Sequence, residues 1–237
     1  MNTSQKHLLA LSIALAAGTL TASVHAQETC TGPTGEGAVN TGDFACGTNA
    51  TASGGYSSAV GYQSSATAGN STATGSYSVA SGTISTATGT HANATGYGST
   101  ATGAYSSATG HHSTATGQSS AAIGNGSPAT GVDSVAYGKY TTSSGYSRPA
   151  LGESSTAIGA KSTAIGTRGQ AFGYGAYAAS YATAVGIAHA SGVGSTAVGN
   201  GSAATGIGST AVGTFSEASG RQASAFGAGA SAAGDFA

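Results

Sequence analysis

Charge is scarce in this chain. Six Lys and Arg and seven Asp and Glu are spread over 237 residues for a net charge of −1, so the basic footprint that nucleic-acid binding requires is missing. Tryptophan is absent and only three prolines occur. Leucine is almost confined to the amino terminus, so an ordinary apolar core has nothing to be built from. The acidic residues Asp133, Glu153, Glu217 and Asp235 stand alone, and none is in phase with a histidine that would complete an acid–base pair. Serines are plentiful but sit where small fillers are expected, without an orienting base or a pocket. The chain therefore reads as non-enzymatic, with no catalytic residue. His91, His111 and His112 are the one metal-like grouping, and no carboxylate or cysteine completes a ligand set, so no metal and no other cofactor is expected. Tyr77, His91 and Tyr105 fall fourteen residues apart and read as an aromatic column of turn side chains.

What the chain has instead is glycine, 41 of them, in strict phase. From Gly47 to Gly234 a glycine falls on every seventh position, apart from Ala68, Ser180 and one shortened passage around Ser180 and Gly186. Composition alone would pass for disorder, but disorder has no reason to hold glycine in register, so the pattern marks a repeat architecture. A heptad coiled coil is excluded, because a helix loses about 1 kcal/mol at each glycine and these units offer no Leu or Ile seam. Two residues before each glycine stands alanine, with Ser143 the exception, and four before it usually Ser or Ala. Larger residues alternate with these, which is the period of a strand. The small side must face inward, since the Thr-rich units from Thr72 to Thr116 would otherwise bury hydroxyls at about 1–3 kcal/mol for each one left unpaired.

The residues preceding the later glycines read Val185, Ser191, Val198, Thr205, Val212, Ser219, Phe226 and Ala233. Every second unit is apolar on its outer side, so the true coil is about fourteen residues with two short strands. An all-β parallel solenoid follows, elongated and about 60 Å long at ~4.8 Å per coil. An interior of Ala, Ser and Gly stabilises little at about 25 cal/mol per Å². The row Ile123, Ile158, Ile165, Phe172, Val185, Val198, Val212 and Phe226 is then expected to be shared among copies in a closed rotational homo-oligomer.

Residues 1–26 carry a positive end, an apolar stretch and a small-residue cleavage site, the pattern of an export signal. No membrane span is expected in the mature chain. Residues 27–46 read as a lead-in and 47–237 as the repeat body. Cys30 and Cys46, bound for an oxidising compartment, are expected to form a disulfide, with free thiols or pairing between chains the alternatives. Between Pro128 and Glu153 the pattern frays, and Tyr140, Tyr146 and Arg148, with Ser155 and Ser162, are the candidate ligand-binding residues. A different function is suggested by Thr72, Thr74, Thr86, Thr88, Thr100, Thr102, Thr114 and Thr116, which would stand as a flat two-column array. That array is similar to the Thr-x-Thr face of β-solenoid ice-binding proteins, and ice binding is the alternative reading.

The phrase Ser155-Thr156-Ala157-Ile158-Gly159 followed by Ser162, and the copies Ser195-Thr196-Ala197-Val198-Gly199 and Ser209-Thr210-Ala211-Val212-Gly213, resemble the head repeats of YadA-type trimeric autotransporter adhesins. The resemblance runs from about Gly47 to the end of the chain. It implies a left-handed parallel β-roll, three chains side by side as a homotrimer, and attachment to host extracellular matrix or cell-surface molecules. It further implies a place at the cell surface or outer membrane of a Gram-negative bacterium, or secretion. The sequence shows no heptad stalk and no run of amphipathic barrel strands, so the expectation is a fragment, a released head or one held by a separate partner.

Overall fold

The structure is a computed structural model that describes residues 37–237. The expected export signal, the start of the lead-in and Cys30 lie outside the described residues. Twenty-eight short strands alternate between two sheets, each of fourteen strands. The first sheet runs from Phe44–Cys46 to Ser224–Phe226 and the second from Thr51–Ala52 to Ser231–Ala232. Each strand pairs in parallel with the strand one coil on, as in Thr72↔Thr86, Thr86↔Thr100 and Thr100↔Thr114. The chain is therefore a parallel β-solenoid, two strands and two turns to a coil, with no helix among the described residues.

Small side chains make this winding possible, because the two sheets approach too closely for anything larger between them. The alanines of the repeat, from Ala52 to Ala218, are fully buried, and the position two residues before each of them is filled mainly by serine, also fully buried. These serines do more than fill space. Ser113 Oγ donates to the Gly110 carbonyl at 2.7 Å and Ser155 Oγ to that of Gly152 at 2.7 Å, so each closes the turn from which its strand emerges. Ser85, Ser99, Ser195 and Ser209 are buried without a partner for the hydroxyl.

The alanine core is not continuous. It forms one cluster from Ala45 to Ala136 and another from Ala150 to Ala232, and the coil between them places Thr141 and Ser143 inside. Two prolines flank this break. A proline has no N–H to donate to the ladder, and the strands Arg148–Ala150 and Thr163–Ala164 pair only through Ala150↔Ala164. The irregularity that the sequence shows from Pro128 onward is thus a thinning of both ladder and core.

Glycine is required at the turns for two different reasons. Leaving the first sheet, Gly75 has φ +124°, a region open to glycine. Leaving the second, Gly110 has no such φ, but a Cβ there would collide with the Gly124 carbonyl of the next coil. Outside the shortened passage, the second residue after each repeat glycine is left-handed even when it is not glycine, as at Tyr77 (φ 58°) and His91 (φ 56°). That conformation costs about 1–2 kcal/mol, and coil-to-coil bonds such as His91 N–H to the Ser76 carbonyl at 2.9 Å hold it.

Two details differ from the sequence reading. Pairing starts before Gly47, with an Ala38↔Ala52 bridge and Phe44–Cys46 against Ser58–Val60. The shortened passage consists of two successive turns, each one residue short: Gln170 pairs with Thr183 thirteen residues on and Tyr177 with His189 twelve residues on. The ladder absorbs both, and the fourteen-residue register returns at His189↔Ala203.

Candidate functional surfaces

With the interior closed, function is left to four outer surfaces, two sheet faces and two turn edges. On the first sheet, Ile158, Phe172, Val185, Val198, Val212 and Phe226 stand in one column of direct partners. The same column in the earlier coils holds Thr74, Thr88, Thr102 and Thr116. Thr72, Thr86, Thr100 and Thr114 form the second column, so the expected array of eight is in register. No charged residue occurs in either column of this sheet from Phe44 to Phe226.

Ile123 and Ile165 do not belong to that row. They follow Ala122 and Ala164 on the second sheet, because the side is decided by whether a unit is odd or even, which phase within the unit does not reveal. There they join Tyr137 and Leu151 in a separate row on consecutive coils, all exposed. Sequence reasoning missed this second apolar row.

The turn edges carry the aromatic side chains. On the edge that leaves the first sheet, Tyr77 and His91 stack at 4.7 Å and 2°, His91 and Tyr105 at 5.0 Å and 8°, and Tyr62 meets Tyr77 edge-on at 5.3 Å. The expected column is present and longer by Tyr62. Burial, then the neighbouring Tyr62, push the Tyr77 phenol above its ordinary range. Further along the same edge Lys161 Nζ lies 5.5 Å from the Tyr174 ring centroid, and its hydrogen bond to Tyr174 holds the ammonium above its ordinary value. On the opposite edge Arg168 lies over Tyr181 at 5.9 Å, and Tyr97 meets His112 edge-on.

The candidate ligand-binding group is not one patch. Tyr140 is exposed on the edge that leaves the second sheet, and Tyr146 is exposed on the other edge. Ser155 and Ser162 are fully buried, their hydroxyls given to the Gly152 and Gly159 carbonyls, so neither reaches a ligand at the surface. They occupy the small inward position of the strand, and the alternation that places Ala157 inside places Ser155 inside too. Arg148 takes the register position of Ser134, and its side chain lies outside those described. Tyr146 instead has Lys161 and Tyr174 on the next two coils of its edge.

At the amino-terminal end Asp43 is buried. Its carboxylate accepts Asn40 N–H at 2.9 Å, Ser57 N–H at 2.9 Å and Ser57 Oγ–H at 2.8 Å. Burial raises its pKa, but these hydrogen bonds outweigh it and hold the carboxyl below the usual carboxylate range. Asp43 therefore ties the segment before the first strand to the next coil, a structural task. Among the described residues no group of three or more His, Cys, Asp or Glu is placed to hold a metal, and no helix is long and apolar enough to cross a membrane.

The family model described as YadA head domain repeat (2 copies) matches residues 40–64, 52–78, 73–99, 80–106, 94–120, 115–141, 150–176, 190–216 and 218–237. Comparison with curated proteins finds no match. Among solved structures the chain is similar to the crystal structure of the collagen-binding domain of Yersinia adhesin YadA, at 23% identity and a TM-score of 0.24. That match covers 69% of this chain and 66% of the other, just under two thirds of its length. A solenoid of fourteen-residue coils, matched by its repeat over most of its length, belongs to the YadA head domain repeat family.

Proposed function

We propose that this chain is the exported, non-enzymatic head of a surface adhesin that attaches to host extracellular matrix, cells or other surfaces as a homotrimer. The observation that carries the reading is the in-register repetition of uncharged outer groups on successive coils, in a chain of the YadA head repeat family. Repetition favours many weak contacts made together, which raises avidity without any single strong site. The near-neutral surface favours hydrogen bonding and shape over steering by charge. Assembly is supported by the apolar column from Ile158 to Phe226, whose side chains are exposed or half-buried in the single chain. Export is supported by the pattern of residues 1–26, and a Cys30–Cys46 disulfide by the oxidising compartment that export implies.

Beads coated with the purified chain test the adhesive reading on collagen-coated, cell-covered and bare surfaces, against albumin-coated beads. Retention well above albumin on at least one surface is expected. Equal retention on all of them would contradict the proposal.

A further inference from the structure

On the edge that leaves the first sheet, Tyr146, Ala160 and Tyr174 take the same place in three consecutive turns, because the strands before them are in register through Ser144↔Ile158 and Ile158↔Phe172. Both tyrosines are exposed, and their backbones stand two coils apart, about 9.6 Å. Tyr77 and Tyr105 are also two coils apart on this edge, and the His91 ring fills the space between them at 4.7 and 5.0 Å. Between Tyr146 and Tyr174 the middle coil contributes only the methyl of Ala160 at that position, which leaves a slot one ring wide. Lys161, on the same coil as Ala160, reaches the Tyr174 ring with Nζ 5.5 Å from its centroid.

Exposed tyrosines alone need no ligand to explain them, but the charge set between these two does. Lys161 is the one Lys or Arg in the turns of this edge from Gly47 to Gly229, and the one carboxylate there, Asp133, lies two coils before it. On the opposite edge Lys139, Glu153 and Arg168 follow on consecutive coils, so that charges of opposite sign offset one another. Contact between copies does not account for Lys161 either. The columns assigned to that contact carry no charge, and an ammonium buried against another chain is costly unless a carboxylate meets it. The slot is therefore matched to a ligand that brings both a ring and a negative charge.

We propose that Tyr146, Lys161 and Tyr174 bind a carboxylated sugar. Such a sugar has a face of C–H groups that packs on a tyrosine ring, and its carboxylate accepts a charge-assisted hydrogen bond from the Lys161 ammonium. Tyrosine supplies broad, rigid contact at little cost in conformational freedom, and its phenol can donate to or accept from the sugar hydroxyls. The proposal rests on the attachment reading and gives the chemistry of what is held. Sialic acids on cell-surface glycans and uronic acids in matrix polysaccharides share this carboxylated ring. One slot holds weakly, and a homotrimer that presents three of them gains by avidity.

The test is retention of the purified full chain on immobilised sialyllactose, hyaluronan, lactose and polyglutamate, read by biolayer interferometry. Wild type is expected to bind sialyllactose or hyaluronan, which tells the two sources apart, and neither neutral lactose nor polyglutamate, whose carboxylates lack the sugar ring. Lys161→Met removes the charge, and Ala160→Phe fills the slot as His91 fills its own. Each is expected to weaken binding about tenfold, the scale of one hydrogen bond to a charged group, while Arg168→Met on the opposite edge leaves it unchanged. Circular dichroism identical to wild type shows that each variant is folded. Wild type retained on neither carboxylated sugar overturns the proposal, and beads that still adhere then show that attachment uses another surface. Equal retention on lactose or polyglutamate, full binding by folded Lys161→Met and Ala160→Phe, or an equal loss in Arg168→Met overturns it as well.

Discussion

Ala101 and Thr102 are neighbours in sequence that face opposite ways, and replacing each with leucine isolates what the narrow interior does. Ala101 is fully buried, stacked between Ala87 and Ala115. A leucine there adds three carbons to a space closed by backbone on both sides, and overpacking of this kind costs typically about 1–3 kcal/mol. Thr102 is exposed, and the same leucine one residue on should change stability by no more than about 0.5 kcal/mol. At this chain length each kcal/mol moves the melting temperature by about 2–4 °C, so the pair should separate by several degrees. Thermal melts followed by circular dichroism measure the difference. Amide hydrogen exchange should place the loss of protection in Ala101→Leu around coils 86–116, since a repeat array need not unfold as one unit. Equal melting temperatures for the two variants would mean that alanine is not confined, and the inward assignment would fail.

Ser113→Ala should cost about 0.5–1.5 kcal/mol in denaturant melts, because its hydroxyl closes a turn, while Ser85→Ala, whose buried hydroxyl has no partner, should be neutral or stabilising. Gly110→Ala should destabilise by an amount comparable to overpacking, about 1–3 kcal/mol, as its Cβ would strike the Gly124 carbonyl. Asp43 is held below its unfolded pKa, so the stability it contributes is present above about pH 4 and is lost as pH falls through the lower folded value. Asp43→Asn should lower the melting temperature at neutral pH and flatten its decline in acid. Phe172→Ser combined with Val198→Ser should weaken self-association in sedimentation equilibrium, and an unchanged mass would remove the apolar column from the assembly.

Much of this architecture was legible because the alanine column has a physical cause that shows in sequence. Where two sheets lie this close, substitution at the inward position is barely tolerated, so the phase of alanine and glycine marks strand, turn and interior together. The fourteen-residue coil was readable from Val185, Val198, Val212 and Phe226. Other features were hidden because phase does not encode them. Ile123 and Ile165 share the local setting of Ile158, and only the parity of the unit sends them to the other sheet. Ser155 and Ser162 look like polar surface residues in isolation, yet two-residue alternation with Ala157 and Ala164 turns them inward. Tyr140 and Tyr146 are six residues apart but on opposite edges, because a strand lies between their turns. The Lys161–Tyr174 contact joins residues a coil apart, and it becomes visible only once the register is fixed.

The central claim is that the chain advances by one strand spacing for every fourteen residues. Spin labels carried on non-canonical side chains at Thr74 and Thr130, both exposed on the first sheet and four coils apart, test it by pulsed dipolar spectroscopy, with unlabelled chain in excess so that only distances within one chain are read. The backbone separation should be about 19 Å with a narrow spread. A broad distribution centred near about 40 Å, as for an unstructured segment of that length, would contradict the account.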